Sequence, residues 1–145
     1  MSVAISLAKE AAQANEVPVG AVVVNQGTII GRGFNQPILS NDSSAHAEII
    51  AIRNACQTLN NYRLTGCELF VSLEPCVMCF GALVHARINR LVYAASEPRA
   101  GAVKSQLRLP EKDFFNHKIN CYGGLLEEQS SSLLREFFRT RRTNN

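Results

Sequence analysis

The sequence has no tryptophan and only two methionines. It also lacks any stretch of about 20 apolar residues, the length a helix needs to cross a bilayer. No basic start leads into an unbroken apolar run of the kind that directs secretion. A soluble, intracellular protein with no membrane partner is the expectation. An even set of cysteines is missing too. Cys56, Cys67, Cys76, Cys79 and Cys121 are five, and without an export signal they read as reduced thiols rather than a disulfide framework. Low-complexity tracts and internal repeats are absent, which excludes a solenoid or a disordered chain. Charge of one sign is scarce: a formal net charge of +3 and a pI near 8.7 do not by themselves call for nucleic acid. What remains, 145 residues of which 46% are hydrophobic, suits one domain over 1–145 with a substantial core. The basic residues are unevenly spread, since Arg135, Arg139, Arg141 and Arg142 crowd the last turns of the chain.

Hydrophobic spacing sets the expected elements. Val3, Leu7, Ala8 and Ala11 recur at helical spacing, with Lys9, Glu10 and Gln13 off that face. Val17 to Val24 is rich in β-branched residues and is followed by Asn25, Gln26 and Gly27 and then TIIGRGF, which predicts a β-hairpin. Asn35 to Ser44 is dense in Asn, Pro, Asp and Ser and reads as a loop, with Ser43 or Ser44 placed to cap a helix that begins AHAEIIAIRNACQTL. That helix sets Ile49, Ile52 and Cys56 on neighbouring faces. A strand over Glu68 to Leu73, a helix opening at Pro75 and running past Val84, and a strand NRLVYAA come next. The stretch LRLPEKDFFNHKINCYGG predicts an irregular segment or short helix and then a strand near Lys118 to Tyr122. A last helix carries Leu125, Leu126, Leu133, Leu134, Phe137 and Phe138 on its repeat. Strands alternating with helices predict an α/β layered domain, with helices on both faces of a central, partly parallel sheet.

The chemistry starts from SLEPCVMCF. Two cysteines three apart can be a redox pair, half of a metal site, or thiols packed as small hydrophobes. With Pro75 in a first helical position, Cys76 and Cys79 lie one turn apart at a helix N-terminus, where the partial positive charge favours thiolates. AHAEI offers His46, with Glu48 two positions on. Residues i and i+2 are not neighbours on a helix, so the two converge only at its start, off the first turn. If that tip meets the one bearing Cys76 and Cys79, one imidazole and two thiolates give three ligands for a tetrahedral ion. The fourth position stays open for water, the pattern of a catalytic zinc. Zinc lowers the pKa of a bound water from about 15.7 to roughly 7. Glu48, spare of the ligand count, is then the candidate acid/base.

His46-Ala47-Glu48 followed by Pro75-Cys76-x-x-Cys79 resembles the known signature of the zinc-dependent nucleobase deaminases. Cytosine and guanine deaminases share it, so it does not name the base. EVPVGAVVV, AHAEIIAI, NYRL, LEPCVMCFGALVHARINRLVYAA and FFRTRR together resemble the bacterial tRNA adenosine deaminases over nearly the whole chain. The resemblance implies a three-layer cytidine deaminase-like fold with a central mixed five-stranded sheet. It implies a cytoplasmic homodimer with one Zn2+ per subunit that hydrolyses the wobble adenosine of an arginine tRNA anticodon loop to inosine, releasing ammonia. His46, Cys76 and Cys79 would hold the zinc and Glu48 would shuttle protons, while Asn35 and the backbone of Ala47 would meet the flipped nucleoside. Glu97 stands where the family has Asp near a substrate ribose. The chain also begins closer to EVPVG than its relatives, so a shortened first helix is expected.

A base inside a stack is out of reach, and a single-stranded anticodon loop presents it most cheaply. Arg87, Arg90, Arg99, Lys104 and the terminal arginines could attract phosphate, and Phe138, Arg139 and Arg142 are the implied RNA contacts, with Phe137 assigned to the core. Asn116, with His117, falls in a segment the family uses near substrate. Other readings stay open: a small-molecule cytosine, guanine or nucleoside deaminase with the same chemistry, an RNA-binding module with a structural zinc, and a thiol redox pair without metal.

Overall fold

The computed structural model describes residues 1–144. The β-branched run after Pro18 forms β1 (Gly20–Asn25), and Gln26 and Gly27 turn it back into β2 (Thr28–Phe34), antiparallel to it. Both turn residues hold positive φ, 50° and 80°, the conformation a tight hairpin demands. The remaining strands are β3 (Glu68–Leu73), β4 (Arg90–Ala95) and β5 (Asn120–Gly123), and the sheet order is β2-β1-β3-β4-β5. β1 pairs antiparallel with β3, whereas β3 with β4 and β4 with β5 are parallel, so the sheet is mixed as expected. The two edges of the expected strands shift: Val17 and Val19 lie ahead of β1, and Lys118 and Ile119 lead into β5 without joining it.

Helices cover both faces. α1 (Ser2–Gln13) and α5 (Glu127–Thr143) pack on one side, with α2 (Pro37–Ser40) a single turn in the loop after β2. α3 (Ala47–Leu59) and α4 (Val77–His85) pack on the other. The buried face of α1 is Ala4, Ile5, Leu7, Ala8 and Ala11, and Val3 is only half-buried. On α3 the buried positions are Ala47, Glu48, Ala51 and Ala55, while Ile49, Ile52 and Cys56 of the expected stripe stay half-buried. The cause is the opposing strand. A Cβ on Gly31 or Gly33 of β2 would overlap the backbone of Ala51, Ala55 or Ala47, so glycines face alanines and helix meets sheet almost backbone to backbone. This close seat fixes where the first turn of α3 points.

Three helix starts differ from expectation. Ser44 does not cap α3, because its hydroxyl donates to Asp42 Oδ1 (2.7 Å) and His46 takes the N-cap position. Pro75 does not open α4. Its carbonyl accepts the N–H of Ala102 (2.9 Å), and the helix starts two residues later, at Val77, with Phe80 N–H donating to Cys76 O (2.9 Å). Leu125 and Leu126 precede α5, and the left-handed Leu126 (φ 56°) turns the chain into it. The segment before β5 is irregular apart from one 3-10 turn, Leu109–Glu111.

Candidate active site

α3 and α4 point their N-termini at the same place, beside the carboxyl ends of β3 and β4, where open α/β sheets bind ligands. His46 is the N-cap of α3, and Cys76 is the N-cap of α4 with Cys79 in its first turn. Their ligand atoms lie within 4.8 Å of one another, with His46 Nδ1 3.6 Å from Cys76 Sγ and 3.4 Å from Cys79 Sγ. Zinc bonds of about 2.3 Å to sulfur and about 2.0 Å to nitrogen, at a tetrahedral angle, require a nitrogen–sulfur edge of about 3.5 Å. The donor set therefore fits a tetrahedral zinc with little adjustment. Hydrogen bonding from Cys79 and His46 draws the Cys76 thiol down to about 4 despite its burial, and the Cys79 thiol, donating to Cys76, is pushed up. The hydrogen bond to Cys76 likewise raises the His46 imidazole against the effect of burial.

Glu48 sits in the first turn of α3 with 4% of its surface exposed. Burial lifts its carboxyl to about 7, with the Cys76 charge adding to the rise and its own backbone N–H, His46 and Cys79 opposing it. A carboxyl near neutrality can both take and return a proton, which is what general acid/base work needs. Helix geometry alone would splay His46 and Glu48. They converge because His46 stands outside the helix with extended backbone (φ −72°, ψ 154°).

His46, Glu48 and Cys76 line a cavity of about 190 Å³ together with Val17, Val19, Asn35, Leu73, Glu74, Glu97 and Ala100, and Cys79 is buried behind them. Asn35 Oδ1 accepts the N–H of Ala47 (3.0 Å), so one carbonyl satisfies a free donor of α3 and the Asn35 amide nitrogen is left for other work. The Ala47 N–H itself is spent in that bond. Sequence reasoning missed Glu74. Burial pushes its carboxyl up, but the N–H groups of Lys104, Ser105 and Glu97 and the Ser105 hydroxyl outweigh that and leave it below its ordinary value. A charged residue directly after a mostly apolar strand and just before PCxxC was the available signal.

The RNA candidates scatter. Phe138, Arg139 and Arg142 line an open groove with Pro98, Arg99 and Leu134, and Glu97 belongs to both this groove and the cavity. Phe138 is 43% exposed, as an RNA contact requires, whereas Phe137 is half-buried and stands outside the core to which it was assigned, packed against Phe138 and the Arg141 guanidinium. Arg141 is committed elsewhere: its guanidinium donates to the Asn15 carbonyl and stacks 4.8 Å from the Phe137 ring centroid. Asn116 is exposed on the loop before β5, next to His117, whose Nε2 lies 2.7 Å from the Ile88 carbonyl. On its other side Phe115 packs 5.8 Å from the ring centroid of Phe80 of α4, and Asn116 itself is not among the residues that line the cavity.

Residues 1–95 match the family described as the cytidine and deoxycytidylate deaminase zinc-binding region. The tRNA-specific adenosine deaminase of Agrobacterium fabrum is 44% identical over 145 residues, spanning 100% of this chain and 95% of that protein. The chain belongs to the tRNA-specific adenosine deaminase family. A solved structure from work on A-to-I editing by tRNA A34 deaminases at the wobble position overlays with a TM-score of 0.90 at 44% identity, covering 92% of this chain and 97% of that one. The guanine deaminase of Nitrosomonas europaea is more distant, at TM-score 0.76 and 28% identity over 94% of this chain and 81% of that one. The shared architecture is the three-layer, mixed five-stranded fold described above. As a member of this zinc-binding deaminase family the chain takes one Zn2+ per subunit. Among the described residues His46, Cys76 and Cys79 form the one cluster of three metal-ligating side chains.

Proposed function

We propose that this protein hydrolytically deaminates the wobble adenosine of a tRNA anticodon loop to inosine and releases ammonia. The observation that carries the reading is that two spaces adjoin at Glu97: the small cavity lined by His46, Cys76 and Glu48, and the groove of Phe138, Arg139 and Arg142. One is sized for a single base, and the other is open and basic enough for the strand that carries it.

His46, Cys76 and Cys79 hold the zinc. Bound there, it supplies the Lewis acidity that makes a water nucleophilic near neutral pH. Glu48 takes one proton from the water and passes it to N1 of the adenine as the oxygen adds to C6, then takes the remaining hydroxyl proton and delivers it to the amino group. That group leaves as ammonia while the water oxygen remains on C6, so atoms balance. Asn35 offers its amide nitrogen to the base beside the first turn of α3, where the Ala47 N–H holds the Asn35 side chain in place. Glu97 lies at the cavity mouth, where the ribose emerges. Phe138 stacks on a neighbouring base, and Arg139 and Arg142 attract phosphates. Asn116 would meet the RNA away from the reacting base. Following the family resemblance, the enzyme works in the cytoplasm as a homodimer, on an arginine tRNA.

The test is incubation with an anticodon stem-loop bearing adenosine at the wobble position, followed by nucleoside analysis for inosine. Inosine from the stem-loop supports the reading. Turnover of free guanine or cytosine, with none on the RNA, overturns it in favour of a small-molecule deaminase.

A further inference from the structure

The loop after β4 has no regular structure, yet it supplies Glu97 and Ala100 to the cavity wall. Something must hold it. Glu74, 2% exposed at the end of β3, is wrapped by this loop. Its Oε1 accepts the Glu97 N–H (3.0 Å) and the Ser105 hydroxyl, and its Oε2 accepts the consecutive N–H groups of Val103 (3.1 Å), Lys104 (2.9 Å) and Ser105 (3.0 Å). Three successive amides converging on one oxygen make an anion nest, here filled by the protein's own carboxylate. Gly101 presses against the same group, because a Cβ there would overlap the Glu74 carboxylate. The Pro75 carbonyl and the Ala102 N–H add a second tie, 2.9 Å long.

We propose that Glu74 is a positioning residue that registers the 96–105 loop against the strand end bearing Cys76, and so sets the cavity wall that receives the substrate nucleoside. Glu74 borders the cavity, but both its oxygens are spent on the loop and none of its hydrogen bonds goes to a metal ligand. A neutral amide cannot replace it. Gln at this position has one acceptor oxygen, and its –NH2 faces N–H donors whichever way it turns. The loop then loses at least the Glu97 N–H anchor, and all three amides of Val103, Lys104 and Ser105 if the amide nitrogen takes the other place. Its effect is therefore on how the wall is presented to substrate, not on the proton transfers of Glu48. The part concerning substrate rests on the deaminase reading above; the anchoring does not.

Glu74→Gln in the zinc-loaded full chain tests this, with Ser105→Ala, which removes one hydrogen bond, as the milder partner should the first fold poorly. Three readouts are taken: zinc content, amide hydrogen exchange across residues 96–105, and KM and kcat on the wobble-adenosine stem-loop. Retained zinc, exchange faster by at least tenfold at Val103, Lys104 and Ser105, and a KM raised about tenfold with kcat within about threefold support the proposal, with Ser105→Ala intermediate. Unchanged exchange in either folded variant overturns the anchoring. Fast exchange with an unchanged KM, or a loss confined to kcat, overturns the positioning role. If the wild-type protein makes no inosine, the deaminase reading fails by that control, while the exchange data still decide the anchor.

Discussion

The cavity at the carboxyl ends of β3 and β4 and the face of α5 lie side by side, but they are built by opposite means. In the cavity the two key carboxyls are deeply buried, Glu48 at 4% and Glu74 at 2% exposed, and the half-buried imidazole lies 3.4–3.6 Å from the two thiols. Along α5 only Ser130 is buried, its hydroxyl donating to the Ser72 carbonyl, and the arginines pair with neighbouring carboxylates in water: Arg135 with Glu128 and Arg139 with Glu136. Low dielectric and fixed geometry give the first region chemical power at the cost of tolerance. Exposure leaves the second adaptable and sensitive to salt. Bond-making and RNA-holding are thus separable in this molecule, and substitutions should separate them.

Removing the metal should have the largest effect. Chelation, or His46→Ala, should abolish inosine formation. Added Zn2+ restores activity to the chelated wild type but not to the variant, as elemental analysis and the stem-loop assay would show. Glu48→Ala should come next: zinc content and RNA affinity stay near wild type while kcat falls about 10²- to 10⁴-fold, the usual worth of a positioned acid/base. An unchanged rate would take Glu48 out of the mechanism. Gly33→Ala strikes the seat rather than the site, because its Cβ meets the Ala47 carbonyl of α3. A loss of about 1–3 kcal/mol, the usual range for overpacking, should appear as a lowered denaturation midpoint, with a smaller loss of activity as the first turn of α3 shifts. The smallest effect belongs to α5. The double variant Arg139→Ala, Arg142→Ala should raise KM about tenfold, leave kcat within about twofold, and flatten the salt dependence of RNA binding by about two in slope. A kcat defect of the size seen for Glu48→Ala would erase the distinction between the two regions.

How much of this was legible in advance follows from where each signal lies. Strand runs and helical repeats are local, so the element order and the layered class could be read directly, as could the convergence of His46 and Glu48 at a helix start. The errors came where a partner outside the local pattern claimed a group or a space. Ser44 has the chemistry of a cap, but Asp42 takes its hydroxyl and Asn35 meets the Ala47 N–H. Pro75 suits a first helical position, but Ala102 takes its carbonyl. The isoleucines of α3 fit the expected stripe, but the glycines of β2 leave room only for alanine. Glu74 was overlooked because its partners stand 23 to 31 positions away, in a segment with no periodicity.

Residue types and their spacing by themselves determined the donor set and the acid/base: one imidazole, two thiols and a spare carboxyl, each paired with a helix start. These are statements about chemistry that a short stretch of chain carries intact. Tertiary structure alone decided that the two helix starts meet, that Glu97 joins cavity to groove, that Arg141 is tied to Asn15 while Arg139 and Arg142 remain on the groove, and that a buried carboxylate holds the loop between them. Those outcomes depend on the order and register of strands far apart in sequence, and no local pattern encodes which distant amide will satisfy a buried oxygen.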